Sequence, residues 1–463
     1  MRIIKNLDEK LLSGNEDILD AALEAAAWIE DSEIRTENGI RWKQCPERKT
    51  DPDDEILFQP YSFYGGSSGV AFFMLRLYLV TKDEKWLDKA VRAADEIAAS
   101  YKRDDFETST GYFGLGMDTG FFNGASGQAY FAENLYLILK EKDPAAASKY
   151  HAFALKAADD IVQAQIVLAA KDGGEAGTWT KTLGILGDEG LTLFLMFMYE
   201  TSGNKEYLDA AQRAANYLAD NAERTEHGIR WYTMDTQALG FGVKAYSPNF
   251  EYGSAGNAYV LAVLYKLTGN EKYLGLAKEA LEYTESTAAA AGNGVLLPYF
   301  VPVFNDLYYL GICHGPAGVS RTYRLMYELS GDDHYREYAA KLTEGILSTG
   351  APQIHSPGYW HNYCFCCGAA GLLEHFVKAG SFLKTDKYTK AAFDCADVLI
   401  GDSVADSGKR RWYSAWTRVK PKEVEAYTGF YPGGAGCASA LLTLYNETHG
   451  KLALPGCLED FWA

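Results

Sequence analysis

GSAGNAYVLAVLYKLTGNEKYL, residues 253–274, joins two glycines three apart, an apolar stretch ending in tyrosine, a polar turn and the start of another periodic segment. The paired glycines, Gly253 and Gly256, recur as Gly-x-x-Gly at Gly66/Gly69, Gly124/Gly127, Gly187/Gly190, Gly315/Gly318, Gly368/Gly371 and Gly433/Gly436. This makes seven copies, spaced roughly 53 to 66 residues apart, and a fixed period of that kind is the mark of a repeat architecture. After each pair comes an apolar run, among them VAFFMLRLY, LTLFLMFMYE, VSRTYRLMYELSG and ASALLTLYNETHG. These runs read as buried helices.

Beyond most of the runs lies a polar turn (TKDEKWL, SGNKEYL, SGDDHYR), then an alanine-rich segment with apolar residues at helical spacing, as in WLDKAVRAADEIAASY. Such segments read as amphipathic outer helices. The seventh copy stops after its inner helix, while the chain opens with an unpaired outer-type helix, NEDILDAALEAAAWIE. The predicted fold is therefore all-α, an (α/α)7 double helical toroid of seven inner and seven outer helices. It is expected to be one domain over residues 1–463, with the N-terminal helix pairing with the last inner helix. Missing side chains at each Gly-x-x-Gly would let loops and helix starts crowd onto one face, so the residues just before the first glycine are expected to face a common centre.

Composition narrows the functional classes. Hydrophobic residues make up 48% of the chain, ample for a large core. A formal net charge of −18 argues against non-specific nucleic-acid binding and anionic membrane surfaces. The N-terminal MRIIKNLDEKLLSGNED has no apolar signal core, and no run approaches the ~20 apolar residues of a membrane span, so a cytoplasmic protein is expected. Eight cysteines, three of them crowded at Cys364, Cys366 and Cys367, do not form a disulfide framework and read as reduced thiols or metal ligands.

Aligning the copies on the first glycine puts Tyr64, Phe122, Glu251, Cys313, Cys366 and Tyr431 two positions ahead of it. Gly65, Asn123, Tyr252, His314, Cys367 and Pro432 stand immediately before it. Cys313 and Cys366 thus occupy equivalent places on neighbouring copies, with Cys367 adjacent. Thiolates gathered in this way suit Zn2+, which favours sulfur in tetrahedral geometry. Cys45, Cys395, Cys437 and Cys457 lie off this rim and read as buried small hydrophobes.

The seven Gly-x-x-Gly copies, with ICHGPAG at 312–318 and FCCGAAG at 365–371, resemble the lanthionine synthetase C-like family over essentially the whole chain. The resemblance implies a helical toroid with a central zinc that binds a substrate thiol. It assigns the ligands to Cys313, Cys366 and Cys367, the last replacing the family's usual histidine as in a known Cys-Cys-Gly subgroup. It further implies a cyclase that adds a peptide cysteine to dehydroalanine or dehydrobutyrine, forming a thioether ring. The dehydrated precursor peptide would come from a separate dehydratase.

That addition needs a proton donor and a group that stabilises the enolate. The family's histidine ahead of the preceding glycine is Tyr252 here, and its tyrosine after the first zinc cysteine is His314, so the two are expected to exchange roles. Tyr309 stands four residues before Cys313, where the family has an arginine, and the family aspartate has only Asp188 nearby, out of register. Glu251 and Asn123 are reserve candidates facing the centre. Cys364 could supply a fourth thiolate and close the site. Three other functions compete: addition of a small thiol such as glutathione to dehydroamino acids, a non-catalytic zinc/thiol peptide-binding protein, and a glycoside-active toroid using Glu251 and Asp188.

Overall fold

The computed structural model describes residues 15–48, 58–103, 119–233, 236–450 and 452–462. The N-terminal residues 1–14, on which part of the targeting expectation rested, lie outside these. Among the described residues no helix is long and apolar enough to cross a membrane.

Helix α1 (Asn15–Glu30) is followed by α2 (Ser67–Thr81), α3 (Glu84–Ser100), α4 (Ala125–Leu139), α5 (Pro144–Ala164), α6 (Asp188–Ser202) and α7 (Lys205–Asp220). Then come α8 (Ser254–Thr268), α9 (Glu271–Ser286), α10 (Pro316–Ser330), α11 (Asp333–Ser348), α12 (Ala369–Leu383), α13 (Asp386–Asp402) and α14 (Gly434–His449). The even-numbered helices form an inner ring in which each touches the next, and α14 returns to α2. Each packs on one odd-numbered outer helix, with α1 against α14. The all-α toroid expected from the repeats is the observed architecture.

The two rings differ as their sequences require. In α2 every residue from Ser67 to Leu77 is buried, and in α8 every residue from Ser254 to Leu264, so these helices are covered on all sides. Outer helix α3 buries only Trp86, Leu87, Ala90, Ala93, Ala94, Glu96 and Ile97, largely one stripe at helical spacing. The polar turns between the rings are N-caps. Asp83, Asn204, Asn270 and Asp332 each accept a hydrogen bond from the backbone N–H two residues on, occupying one of the unpaired donors at the helix start.

Gly-x-x-Gly has a specific geometric meaning. Its first glycine is the residue on which the inner helix begins. A Cβ on the second would lie 1.8–2.2 Å from a carbonyl oxygen of the preceding loop in all seven copies, three residues ahead of the first glycine in six and two ahead (Ile185) in the third. No side chain fits that gap. Among the described residues, the loops packed this tightly are tied to one another by backbone hydrogen bonds at six of the seven junctions around the ring, all but that between the second and third copies. Tyr64 N–H donates to Phe122, Leu186 to Glu251, Glu251 to Cys313, Ile312 to Cys366, Cys366 to Tyr431, and Tyr431 to Tyr64.

The sequence reading did not anticipate six two-stranded antiparallel hairpins. Five follow outer helices: β1 (Glu33–Arg35) with β2 (Ile40–Trp42), β3 (Ile166–Ala169) with β4 (Glu175–Thr178), β5 (Glu223–Thr225) with β6 (Gly228–Arg230), β7 (Ala289–Ala291) with β8 (Gly294–Leu296), and β9 (Val404–Asp406) with β10 (Lys409–Arg411). The sixth pairs β11 (Tyr413–Ala415) with β12 (Val424–Ala426). In the first five the second strand packs on an adjacent outer helix, bridging successive repeats. After three of them a tryptophan indole donates back to the end of the outer helix just left: Trp179 to Ile161, Trp231 to Leu218 and Trp412 to Leu399, at 2.7–2.8 Å.

The centre of the inner ring is filled from below the loop face by a single turn, Leu458–Asp460. Arg321 of α10 forks onto Asp460 at 2.7 and 2.8 Å with both side chains 3% exposed, Tyr431 donates to Glu459, and Tyr130 of α4 donates to the Gly456 carbonyl. Residues from several copies thus converge on one short segment. The ring and its glycines yield a first expectation: Gly318→Ala, whose Cβ would meet the Ile312 carbonyl at 1.8 Å, will lower stability by about 3 kcal/mol. A solvent-facing substitution such as Gly275→Ala, where nothing lies within 4 Å, will not lower it; urea unfolding of the two variants checks this.

Candidate metal centre

The loops leading into the inner helices line a cavity of about 390 Å3 on the loop face. Six of the seven copies contribute the residues just ahead of their first glycine: Tyr64, Phe122 and Asn123, Leu186, Glu251 and Tyr252, Cys313 and His314, and Cys366 and Cys367. The seventh copy's Tyr431 is fully buried because Tyr64 stacks over it, centroids 5.1 Å apart and planes 10° from parallel.

At the cavity wall three sulfurs converge. Cys313 Sγ lies 3.1 Å from Cys367 Sγ, Cys367 Sγ lies 3.4 Å from Cys366 Sγ, and all three fall within 4.8 Å of one another. Zinc–sulfur bonds of about 2.3 Å set the sulfurs of a tetrahedral site about 3.8 Å apart, so the spacing and the soft donors fit zinc. The backbone holds them in place, since Ile312 N–H and Cys313 N–H both point at the Cys366 carbonyl. Hydrogen bonds from Cys313 and Cys367, with one from Tyr64, hold the Cys366 thiol well below its usual range. Burial pushes Cys313 up, and its bonds to Cys313 and Cys364 do the same for Cys367.

Cys364 also lines the cavity, but it stands outside the three-sulfur cluster; its sulfur accepts the backbone N–H of Cys367 at 3.3 Å. That bond orients the Cys366–Cys367 turn. All eight cysteines are free of disulfides, and Cys45, Cys395, Cys437 and Cys457 are buried away from the cavity.

Tyr252 and His314 come together as neighbours, but by stacking: their rings are 4.8 Å apart and 12° from parallel. Tyr299 and Tyr309 set their rings edge-on to His314 at 4.9 and 5.6 Å. Desolvation in this aromatic box lowers the His314 pKa to about 4, and its Nδ1 has no hydrogen-bond partner among the described residues. Glu251 is 3% exposed, its Oε1 is likewise without a partner, and burial drives its carboxyl well above the usual range, with the neighbouring Cys366 adding to the shift.

Asp188 is corrected. It opens α6 but does not line the cavity. Its carboxylate accepts from Thr178 Oγ1, from the Trp179 and Thr180 N–H groups at 3.0 Å each, and from Thr180 Oγ1 at 2.8 Å. All this capacity goes into tying the end of β4 to the helix start, which leaves Glu251 without the second cavity carboxylate that a glycosidase pair requires. Asn123 is at the wall as expected.

Part of the rim comes from outside the repeat register, including Trp360 and Asn362, which read from sequence as a candidate pocket wall, and Tyr309, noted ahead of Cys313. Trp360 and Asn362 come from the loop before Cys364, Tyr299 and Tyr309 from the loop before Cys313, and Trp416, Thr417 and Arg418 from between β11 and β12. Arg418 is the sole lysine or arginine among the described lining residues. It lies 15 residues ahead of Gly433, outside the register that aligned the copies, and no motif marks it.

A family model described as lanthionine synthetase C-like protein matches residues 58–459. No curated protein matches by sequence. Among solved structures, a nisin cyclase superposes with a TM-score of 0.61 at 15% identity, covering 98% of each chain. A sugar epimerase from a ruminal bacterium gives 0.48 at 13% identity, covering 94% of this chain and 99% of that one, and a D-mannose isomerase gives 0.45 at 14% identity, covering 95% and 99%. At such identities the likeness is one of fold. With 402 of its 463 residues (58 through 459) inside the family match, and three cysteines gathered where its repeats converge, the chain belongs to the lanthionine synthetase C-like family.

Proposed function

We propose that the chain is a zinc-dependent cyclase that adds a peptide cysteine to a dehydroalanine or dehydrobutyrine and forms a lanthionine-type thioether ring. The observation that carries this reading is the cluster of three cavity-wall sulfurs from two adjacent copies, all within 4.8 Å of one another. Family membership and the fold shared with a nisin cyclase support it. A separate dehydratase would supply the dehydrated peptide.

Cys313, Cys366 and Cys367 would hold the zinc, which when bound takes a substrate thiol and keeps it as thiolate near neutral pH. In the addition the sulfur bonds to the β-carbon, the carbon–carbon π pair moves toward the carbonyl as an enolate, and a proton returns to the α-carbon. Among the described residues, Glu251 Oε1 and His314 Nδ1 are buried atoms of the cavity wall without a hydrogen-bond partner. We assign proton delivery to the Glu251 carboxyl, and hydrogen bonding to the enolate oxygen to His314 and Tyr252, which divides the roles differently from the exchange expected on sequence. The aromatic walls, Tyr64, Phe122, Tyr299 and Tyr309, keep water from the reacting atoms.

Two measurements test the assignment. Purified protein will carry about one equivalent of zinc, Cys313→Ala or Cys366→Ala will bring this below about a tenth, and Cys364→Ala will keep it. A parent protein without zinc overturns the metal centre. With a synthetic peptide containing one dehydroalanine and one cysteine, the parent will form the thioether, and Glu251→Gln will slow it about 100-fold with zinc retained. Full zinc without cyclisation by the parent would identify a binding protein instead.

A further inference from the structure

Arg418 differs from every other arginine on its stretch of chain. Arg48 pairs with Glu425 across the base of the same hairpin, Arg410 with Glu24, and Arg411 with Glu47 and Asp406. Arg418 makes no hydrogen bond or ion pair with any described residue, and its guanidinium instead lies 5.7 Å from the ring of Phe304. Phe304 is itself unusual: it is 37% exposed and sits at φ 58°, a left-handed conformation that costs a phenylalanine energy. A large apolar ring is thus held out at the rim as a platform, with a half-buried cation over it.

The loop carrying Arg418 is anchored on the cavity side. Ala415 N–H donates to the His361 carbonyl at 3.0 Å, the Trp360 indole donates to the Ala415 carbonyl at 2.8 Å, and Lys420 N–H closes a turn onto Thr417 at 3.1 Å. Around it the wall is formed by the phenols of Tyr299 and Tyr309 and by Trp416, while Cys313, Cys366 and Glu251 are buried and Cys367 is partly exposed to the cavity. In a chain of net charge −18, this guanidinium is the one lysine or arginine among the described lining residues, and so the place in the cavity where an acidic ligand is attracted.

We propose that Arg418 is a carboxylate-binding residue of the cavity that holds the three sulfurs, so that the favoured substrates are peptide cysteines flanked by aspartate or glutamate. This rests on the reading of Cys313, Cys366 and Cys367 as a thiol-binding centre. The guanidinium fork matches a carboxylate with two parallel N–H donors, and no described residue hydrogen-bonds to those donors.

Cobalt(II)-loaded full-length protein provides the test, because sulfur coordination changes its visible and near-ultraviolet absorption. Two peptides are titrated, acetyl-Gly-Asp-Cys-Asp-Gly-amide and its Asn-for-Asp counterpart, into the parent, Arg418→Gln and Arg418→Lys. The parent will bind the acidic peptide about tenfold more tightly, a preference that shrinks as salt rises. Arg418→Gln will lose the preference while binding the neutral peptide as the parent does, and Arg418→Lys will keep part of it. Equal binding of both peptides by the parent, or a preference that survives Arg418→Gln, overturns the proposal. If neither peptide alters the cobalt spectrum of the parent, the thiol-binding reading itself falls, and this inference with it.

Discussion

The structure depends on a contact between a missing side chain and a carbonyl. In every copy the second glycine leaves room for the backbone oxygen of the loop that has just crossed the ring, at a distance where a methyl group cannot go. This brings the loop down onto the helix start, and only loops so placed can pass their N–H groups to the carbonyls of the next copy. A carbonyl buried without a donor would cost roughly 1–3 kcal/mol. The same necklace therefore stabilises the face and fixes the positions of the residues that look into it.

Among those residues, the cysteines owe their arrangement to the necklace rather than to one another. Cys313 and Cys366 lie in equivalent positions of adjacent copies, joined through Ile312, Cys313 and the Cys366 carbonyl, so their separation is set by the repeat spacing. Bringing three thiols together in a buried place would be unfavourable if all were ionised, and the hydrogen-bond pattern around Cys366 reflects that. A divalent cation relieves the repulsion. Glu251 and His314 face the same desolvated space, and that space, rather than any direct partner, sets their protonation.

The ring was legible because its evidence is periodic: glycine pairs, tyrosine-ended apolar runs and capped turns recur often enough to be counted. The cysteine cluster was legible by the same route, since equivalent positions in a closed ring must converge. The hairpins were not read, though ENGIRW at 37–42 and EHGIRW at 226–231 repeat a turn glycine followed by a tryptophan. Strands of three or four residues are too short for alternation to stand out. Asp188 misled because an acid at a helix start near a rim position looks catalytic, whereas the hydroxyls and N–H groups that occupy it lie eight to ten residues earlier. Arg418 had no periodic signal at all. It reaches the cavity on a connection, where the repeat imposes no register.

The pairing of α1 with α14 sets the order in which the molecule can be made. The apolar face of α1, including Ala21, Ala22, Ala25 and Ile29, is buried only once α14 exists. The roughly 400 residues between Glu30 and Gly434 take about 20 to 80 s to synthesise. During that time α1 lacks its inner-ring partner, while the neighbouring copies that carry Cys313, Cys366 and Cys367 can already dock. A nascent chain can thus gather its sulfurs before α1 and α14 meet to close its ring.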